Sequence, residues 1–247
     1  MDDDILVWDI ETTPNQGDFW RAGYRLTIPW ANIKGERQIC VIGYRWLSQK
    51  RIHTLCWKDQ DDAGIIEKFI PILERARYSV AYNGRSYDER FLRGRAIYHQ
   101  IPMSPYHTMV DPLRQLKRYT LLNSYAMDYV ARFLNLGRKI KTSYELWERI
   151  TYEDHQESLR SMARYCRQDC QMLTDIYEAT RAYFPAVDSI AEQISDCPYC
   201  GSSNTAASKQ RTTVQLGERV QFQCRDCGQY HTVAKSRYDK AKSQTAA

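Results

Sequence analysis

The stretch Ile5-Leu6-Val7-Trp8-Asp9-Ile10-Glu11-Thr12 decides how the rest of the chain is read. A short, nearly unbroken apolar run reads as a buried strand. Asp9 and Glu11 interrupt it two residues apart, and alternation turns both to one side, where they can converge on a single cation. An unpaired carboxylate inside an apolar run is costly, and a metal ion removes that cost. A solvent-facing strand end is the competing reading, which Asp-x-Glu alone does not exclude. Thr12-Thr13-Pro14-Asn15 then breaks the strand.

Outward from this strand, residues 38–47 and 51–57 read as two more strands joined by a polar turn. From 63 to 77 apolar residues recur at helical spacing (Ile65, Ile66, Phe69, Ile70, Leu73), and Pro71 is expected to kink that helix. A strand over 78–82, a turn at Asn83-Gly84 and a helix over 86–99 follow, then an extended piece over 107–111. Helices are expected over 124–136, 144–150 and 156–183. Three antiparallel strands, a helix, a strand and then mostly helices predict an α/β body, a mixed sheet with helices on its faces.

Two further acids fall on this frame. Asp88 lies just after a strand-to-helix turn, which places a side chain at the strand's C-terminal edge. Its plainer role is an acid at a helix N-terminus. Tyr165 and Asp169, four apart in the long helix, share a face, and Asp169 amid Met162, Leu173 and Ile176 needs a reason to turn inward. Its plainer role is a surface acid beside Arg167. Asp111, which also ends an apolar stretch, is the rival for a fourth carboxylate.

Together, Trp8-Asp9-Ile10-Glu11-Thr12, Tyr82-Asn83 through Asp88, and Tyr165-x-x-x-Asp169 resemble the motifs of the DEDD superfamily of 3′→5′ exonucleases. These are DnaQ-like nucleases with a ribonuclease H-like fold. Tyr165 in the third motif is similar to the tyrosine subclass, and the set looks particularly like the proofreading domain of family B DNA polymerases. The resemblance spans roughly residues 4–180. It implies phosphodiester hydrolysis assisted by two Mg²⁺ or Mn²⁺ ions, since oxygen-only ligands favour hard cations. By the same resemblance, Asp9, Glu11 and Asp169 hold the ion that activates water, Asp9 bridges to the second, and Asp88 acts largely through water. Tyr165 is expected to orient the attacking water, being a poor base near neutrality at its ordinary pKa of about 10. Thr12 and Asn83 are the implied contacts to the terminal nucleotide.

Residues 15–35 are longer than a plain connection and interleave Trp20, Tyr24 and Trp30 with Arg21, Arg25 and Lys34. Such a mixture suits stacking on unpaired bases. A loop folding its aromatics onto the body is the simpler expectation.

Near the C-terminus, Cys197-Pro198-Tyr199-Cys200-Gly201 and Cys224-Arg225-Asp226-Cys227-Gly228 form two Cys-x-x-Cys-Gly knuckles with 23 residues between them. Two close pairs of thiolates are what tetrahedral Zn²⁺ requires, and four cysteines leave no open position, so the zinc is structural. Flanking a turn at 216–219, residues 212–215 and 220–223 complete a pattern that resembles a zinc ribbon. Cys40, Cys56, Cys166 and Cys170 read as buried small hydrophobes.

Charge divides along the same line. The 247-residue chain carries a formal +5; residues 197–247 hold eight basic and three acidic side chains, and the rest holds 27 of each sign. A basic appendage on a neutral body points to a polyanion. The expected layout is an exonuclease domain over 1–185, a linker over 186–196, a zinc ribbon over 197–234 and a basic tail over 235–247. No apolar run approaches the roughly 18 residues of a membrane span, and the acidic start Met1-Asp2-Asp3-Asp4 is unlike an export signal. The expectation is a cytoplasmic protein of a bacterial or phage-infected cell with no membrane partner. Its expected substrate is single-stranded DNA, with RNA, a binding module, or an accessory subunit docking on a replication or repair complex as the competing readings.

Overall fold

A computed structural model describes residues 4–239 except 22, 24, 25, 106, 141, 185–194, 199–201, 214–216, 227 and 237. The chain divides into two compact units, residues 1–179 and 180–247.

The first unit is built around the opening strand. In β1 (Ile5–Thr12) the segment from Ile5 to Trp8 is fully buried, as a central strand covered on both faces must be. After the short β2 (Gln16–Gly17) and β3 (Ile33–Gly35), which pair with each other, β4 (Ile39–Trp46) runs antiparallel to β1. β5 (His53–Cys56) runs antiparallel to β4. Helix α1 (Ala63–Glu74) buries the five apolar residues its spacing singled out and continues past Pro71 to Glu74. β6 (Tyr78–Val80) lies parallel to β1; α2 (Asp88–Tyr98) then leads to β7 (Met109–Val110), parallel to β6. The result is a five-stranded mixed sheet, order β5-β4-β1-β6-β7, flanked by helices, which is the α/β architecture expected.

Helices α3 (Pro112–Tyr119), α4 (Met127–Phe133), α5 (Tyr144–Glu153) and α6 (Gln156–Thr180) complete the unit. Helix α3 is eight residues long with Leu113 and Leu116 as its only aliphatic side chains, which is too little to be read from sequence; what starts it is Asp111, whose carboxylate caps the amides of Leu113 and Arg114 ahead of Pro112.

A buried clasp fastens three elements. Asp62, fully buried, takes a bidentate pair from Arg95 (2.8 and 2.8 Å), the amide of Ile39 (2.9 Å) and His99 Nε2 (2.6 Å). Hydrogen bonds from these partners outweigh the cost of burial and hold its carboxyl below the usual range. Asp61, Asp62 and His99 lie close enough to share an ion. The Arg95 guanidinium already occupies that position.

The second unit is a three-stranded antiparallel sheet, order β10-β9-β8, of β8 (Thr205–Thr213), β9 (Gly217–Cys224) and β10 (Tyr230–Ala234). Gly217, placed in a turn by the sequence reading, opens β9 instead and pairs with Thr213. Among the described residues no helix is long and apolar enough to cross a membrane.

Candidate active site

Asp9 and Glu11 leave β1 toward the same side. Opposite Asp9 on β4 stands Gly43, where a Cβ would lie 2.8 Å from the sulfurs of both Cys166 and Cys170. The missing side chain lets α6 settle onto the sheet. Cys166 then reaches the Asp9 carbonyl (3.7 Å) and Asp9 Oδ2 (3.9 Å). With that face of α6 fixed, the adjacent face presents Tyr165 and Asp169 to the same place. A bulge adds a second adjustment: Glu11 pairs with Val41 and Thr12 with Ile39, so Cys40 is the extra residue, its thiol on the Glu11 carbonyl at 3.3 Å.

Asp88 arrives by a different route. β6 ends at Val80, and the chain turns through Asn83 in the left-handed region (φ 62°). The amide of Asn83 donates to Asp111 Oδ1 (2.9 Å), while its carbonyl accepts from Ser86 and Tyr87. A Cβ on Gly84 would sit 2.4 Å from that of Ala81, so the turn needs glycine. Asp88, at the first position of α2, is buried and accepts the Ile10 amide at 3.4 Å, a donor that β6 is too short to take.

Four carboxylates thus gather, Asp88 and Asp169 buried and Asp9 and Glu11 partly so. Burial, then the charge of Glu11 and next that of Asp88, pushes Asp9 well above the ordinary range. Glu11 is raised to about 8 by burial and by Asp169, and Asp88 to about 7 by burial. Asp169 is also raised by burial, against the lowering effect of Lys139. Asp111, the rival acid, commits its Oδ1 to the amides of Asn83, Leu113 and Arg114, while its Oδ2 is buried with no hydrogen-bond partner among the described residues and its charge helps to raise Asp88.

Lys139 was not foreseen. It lies in the connection between α4 and α5, where its amide is tied to Asp128 Oδ1 (2.9 Å). Its ammonium reaches Asp169 Oδ2 at 2.8 Å and stands 5.0 Å from the Tyr165 ring centre. Asp169 and Tyr165 outweigh desolvation and raise its pKa, so it stays charged. The Tyr165 phenol is pushed up from 10 by burial, so it stays protonated. Sequence offers only a lysine in a basic stretch, with nothing to say which acid it meets.

The cluster fits divalent cations. Once ionised, four carboxylates against one ammonium leave a net negative charge that a cation would offset, and Asp169 Oδ1 is buried with no hydrogen-bond partner among the described residues. Asp9, Glu11 and Cys166 offer donor atoms close enough to share an ion. A thiol pushed up by its bond to Cys170 and by burial stays neutral, which leaves the oxygens as ligands for a hard cation.

Thr12 Oγ1 shares a 2.8 Å hydrogen bond with Tyr87 Oη, at the edge of the acid cluster. In the second unit Cys197 and Cys224 are both buried, and each donates its amide to the carbonyl five residues on (Ser202 and Gln229, 2.9 Å each). The two bonds span the same number of residues, and Gly228 within the second has φ 74°. Cys200 and Cys227 lie outside the described residues.

Residues 32–181 match the family RNase_H_2 of the RNase H superfamily. The matched stretch holds Asp88, Tyr165 and Asp169; Asp9 and Glu11, on β1, lie outside it. No curated protein matches the chain.

Proposed function

The chain belongs to the RNase H superfamily, whose nucleases use divalent metal ions, and on that premise we propose that it is a 3′→5′ exonuclease of the tyrosine DEDD subclass acting on single-stranded DNA. The observation that carries the reading is the convergence of Asp9 and Glu11 from β1, Asp88 from α2 and Asp169 from α6, with Tyr165 one helical turn from Asp169.

Asp9, Glu11, Asp88 and Asp169 would hold two Mg²⁺ or Mn²⁺ ions. Bound there, such ions supply an activated water and neutralise charge on the phosphate. The chain's own groups do the rest. Lys139 donates to Asp169 and to Tyr165, which fixes both side chains. Tyr165 keeps its proton and orients the incoming water by hydrogen bond rather than deprotonating it. That water's oxygen joins phosphorus as the bond to the 3′-oxygen of the preceding nucleotide breaks, releasing a nucleoside 5′-monophosphate. Thr12, one residue past Glu11, and Asn83, at the turn before Asp88, would contact the terminal nucleotide.

Exonuclease chemistry is assigned to residues 1–185. Residues 186–196 then serve as linker, 197–234 as a ribbon in which Cys197, Cys200, Cys224 and Cys227 bind one structural Zn²⁺, and 235–247 as a basic tail. The matched amide bonds of Cys197 and Cys224 support the ribbon. Its charge supports a role in gripping phosphates.

The test uses 5′-labelled single-stranded DNA and RNA of one sequence, with Mg²⁺ or Mn²⁺. A ladder shortening from the 3′ end is expected, with DNA the faster substrate and Asp169→Ala at least about 10³-fold slower. Faster cleavage of RNA would move the assignment to an exoribonuclease. No product from either strand, with binding retained, would reduce the chain to a binding module.

A further inference from the structure

We propose that the β2–β3 hairpin is a base-stacking platform on which Trp20 and Trp30 hold unpaired bases of the substrate strand upstream of its 3′ end; this rests on the nuclease reading for the identity of the strand. Packing the aromatics onto the body was the simpler expectation; Trp20 and Trp30 depart from it, and Tyr24 and Arg25 lie outside the described residues. Trp20 is 100% exposed and Trp30 86%, with Phe19 at 58%. Three large aromatic side chains left uncovered within residues 19–30 call for an occupant.

Backbone bonding makes the platform a built feature. Asp18 donates its amide to the Asn32 carbonyl (3.0 Å), and Asn32 Nδ2 returns a bond to the Asp18 carbonyl (3.2 Å). Beside this rung, Gly17 approaches so closely that a Cβ would lie 2.7 Å from the Asn32 oxygen. Trp20 lies two residues after Asp18, and Trp30 opens a 3₁₀ turn (Trp30–Asn32) that ends at the rung, so both stand in the connection that the rung closes.

Two observations name the occupant. The first is charge: residues 15–37 carry four basic and two acidic side chains, a surplus of cations among aromatics. Planar apolar faces suit bases and cations suit phosphates, and an unpaired strand offers both at once. The second is continuity with the acid cluster. Glu11 is followed by Thr12, which bonds Tyr87 Oη; Arg37, at the foot of the hairpin, reaches the same oxygen (3.5 Å) and lies over the rings of Tyr87 (5.9 Å) and Phe91 (5.1 Å). The Arg37 amide is in turn held by Asn15 Oδ1 (3.0 Å). A strand with its 3′ end at the carboxylates thus meets a cation-and-ring surface on its way to the hairpin.

The experiment measures anisotropy of 5′-fluorescein-labelled dT20 bound to the full chain in the Asp169→Ala background, without added Mg²⁺ or Mn²⁺ so that the strand stays intact. Replacing Trp20 or Trp30 by alanine should raise Kd roughly tenfold each, and the double replacement at least about fiftyfold. Phenylalanine at both positions should restore most of the affinity. The slope of log K against log salt should not change, because no cation is lost, whereas Arg21→Gln should lower it by about 0.7. Unchanged Kd in the double variant overturns the platform. So does a wild type that self-associates in sedimentation and becomes monomeric in the double variant with dT20 affinity intact, which would make the patch an interface between copies. If the variants lose affinity as expected but the wild type cleaves no strand, the platform stands and the nuclease assignment falls.

Discussion

At the scale of single residues, the acid cluster is a store of unfavourable charge. Glu11 and Asp88 have folded-state pKa values of about 8 and about 7, above the ordinary 4.5 and 3.8. A carboxyl raised in this way keeps a proton that the unfolded chain has already lost, so these groups lower stability as pH rises from about 4 to about 8. Without Mg²⁺ or Mn²⁺, the melting temperature of the first unit should therefore fall across that window. Added Mn²⁺ should raise it more at pH 8 than at pH 5.5, since protons compete for the same oxygens. Thermal melts at both values check this, and a Mn²⁺ effect independent of pH would contradict it. Five of the cluster's six named residues were legible as short motifs, because each motif's spacing is local. Lys139 was not, since its meeting with Asp169 spans two connections and a helix.

At the scale of elements, the site depends on how closely α6 approaches the sheet. Gly43 and the sulfurs of Cys166 and Cys170 set that distance. Gly43→Ala inserts a methyl where two sulfurs already stand. Denaturant unfolding should show a loss of about 1–3 kcal/mol. Activity should fall further than stability does, because the helix that must move carries Tyr165 and Asp169; full activity in a destabilised variant would show that α6 tolerates the shift. Periodicity revealed α1 and α6 because each buries a regular apolar stripe. It missed α3, which is specified by a cap and a proline, and it missed β2 and β3, whose pairing is held by backbone bonds rather than by apolar alternation.

Across the whole molecule, charge is unevenly divided between a neutral body and a C-terminal segment carrying the full +5. Removing residues 190–247 should weaken binding of a long strand and flatten its salt dependence, yet leave cleavage of a short oligonucleotide largely intact. Loss of short-substrate cleavage in a body that still folds would put the ribbon in the active site. The main strands and helices of the first unit, the α/β class and the acidic motifs follow from patterns a few residues long, which local geometry imposes on any chain. The ammonium among the carboxylates, the bulge at Cys40, the bare glycine under α6 and the two indoles left in water have no such local signature. They depend on which distant segments come to lie together and which surfaces are left uncovered, and packing alone settles both.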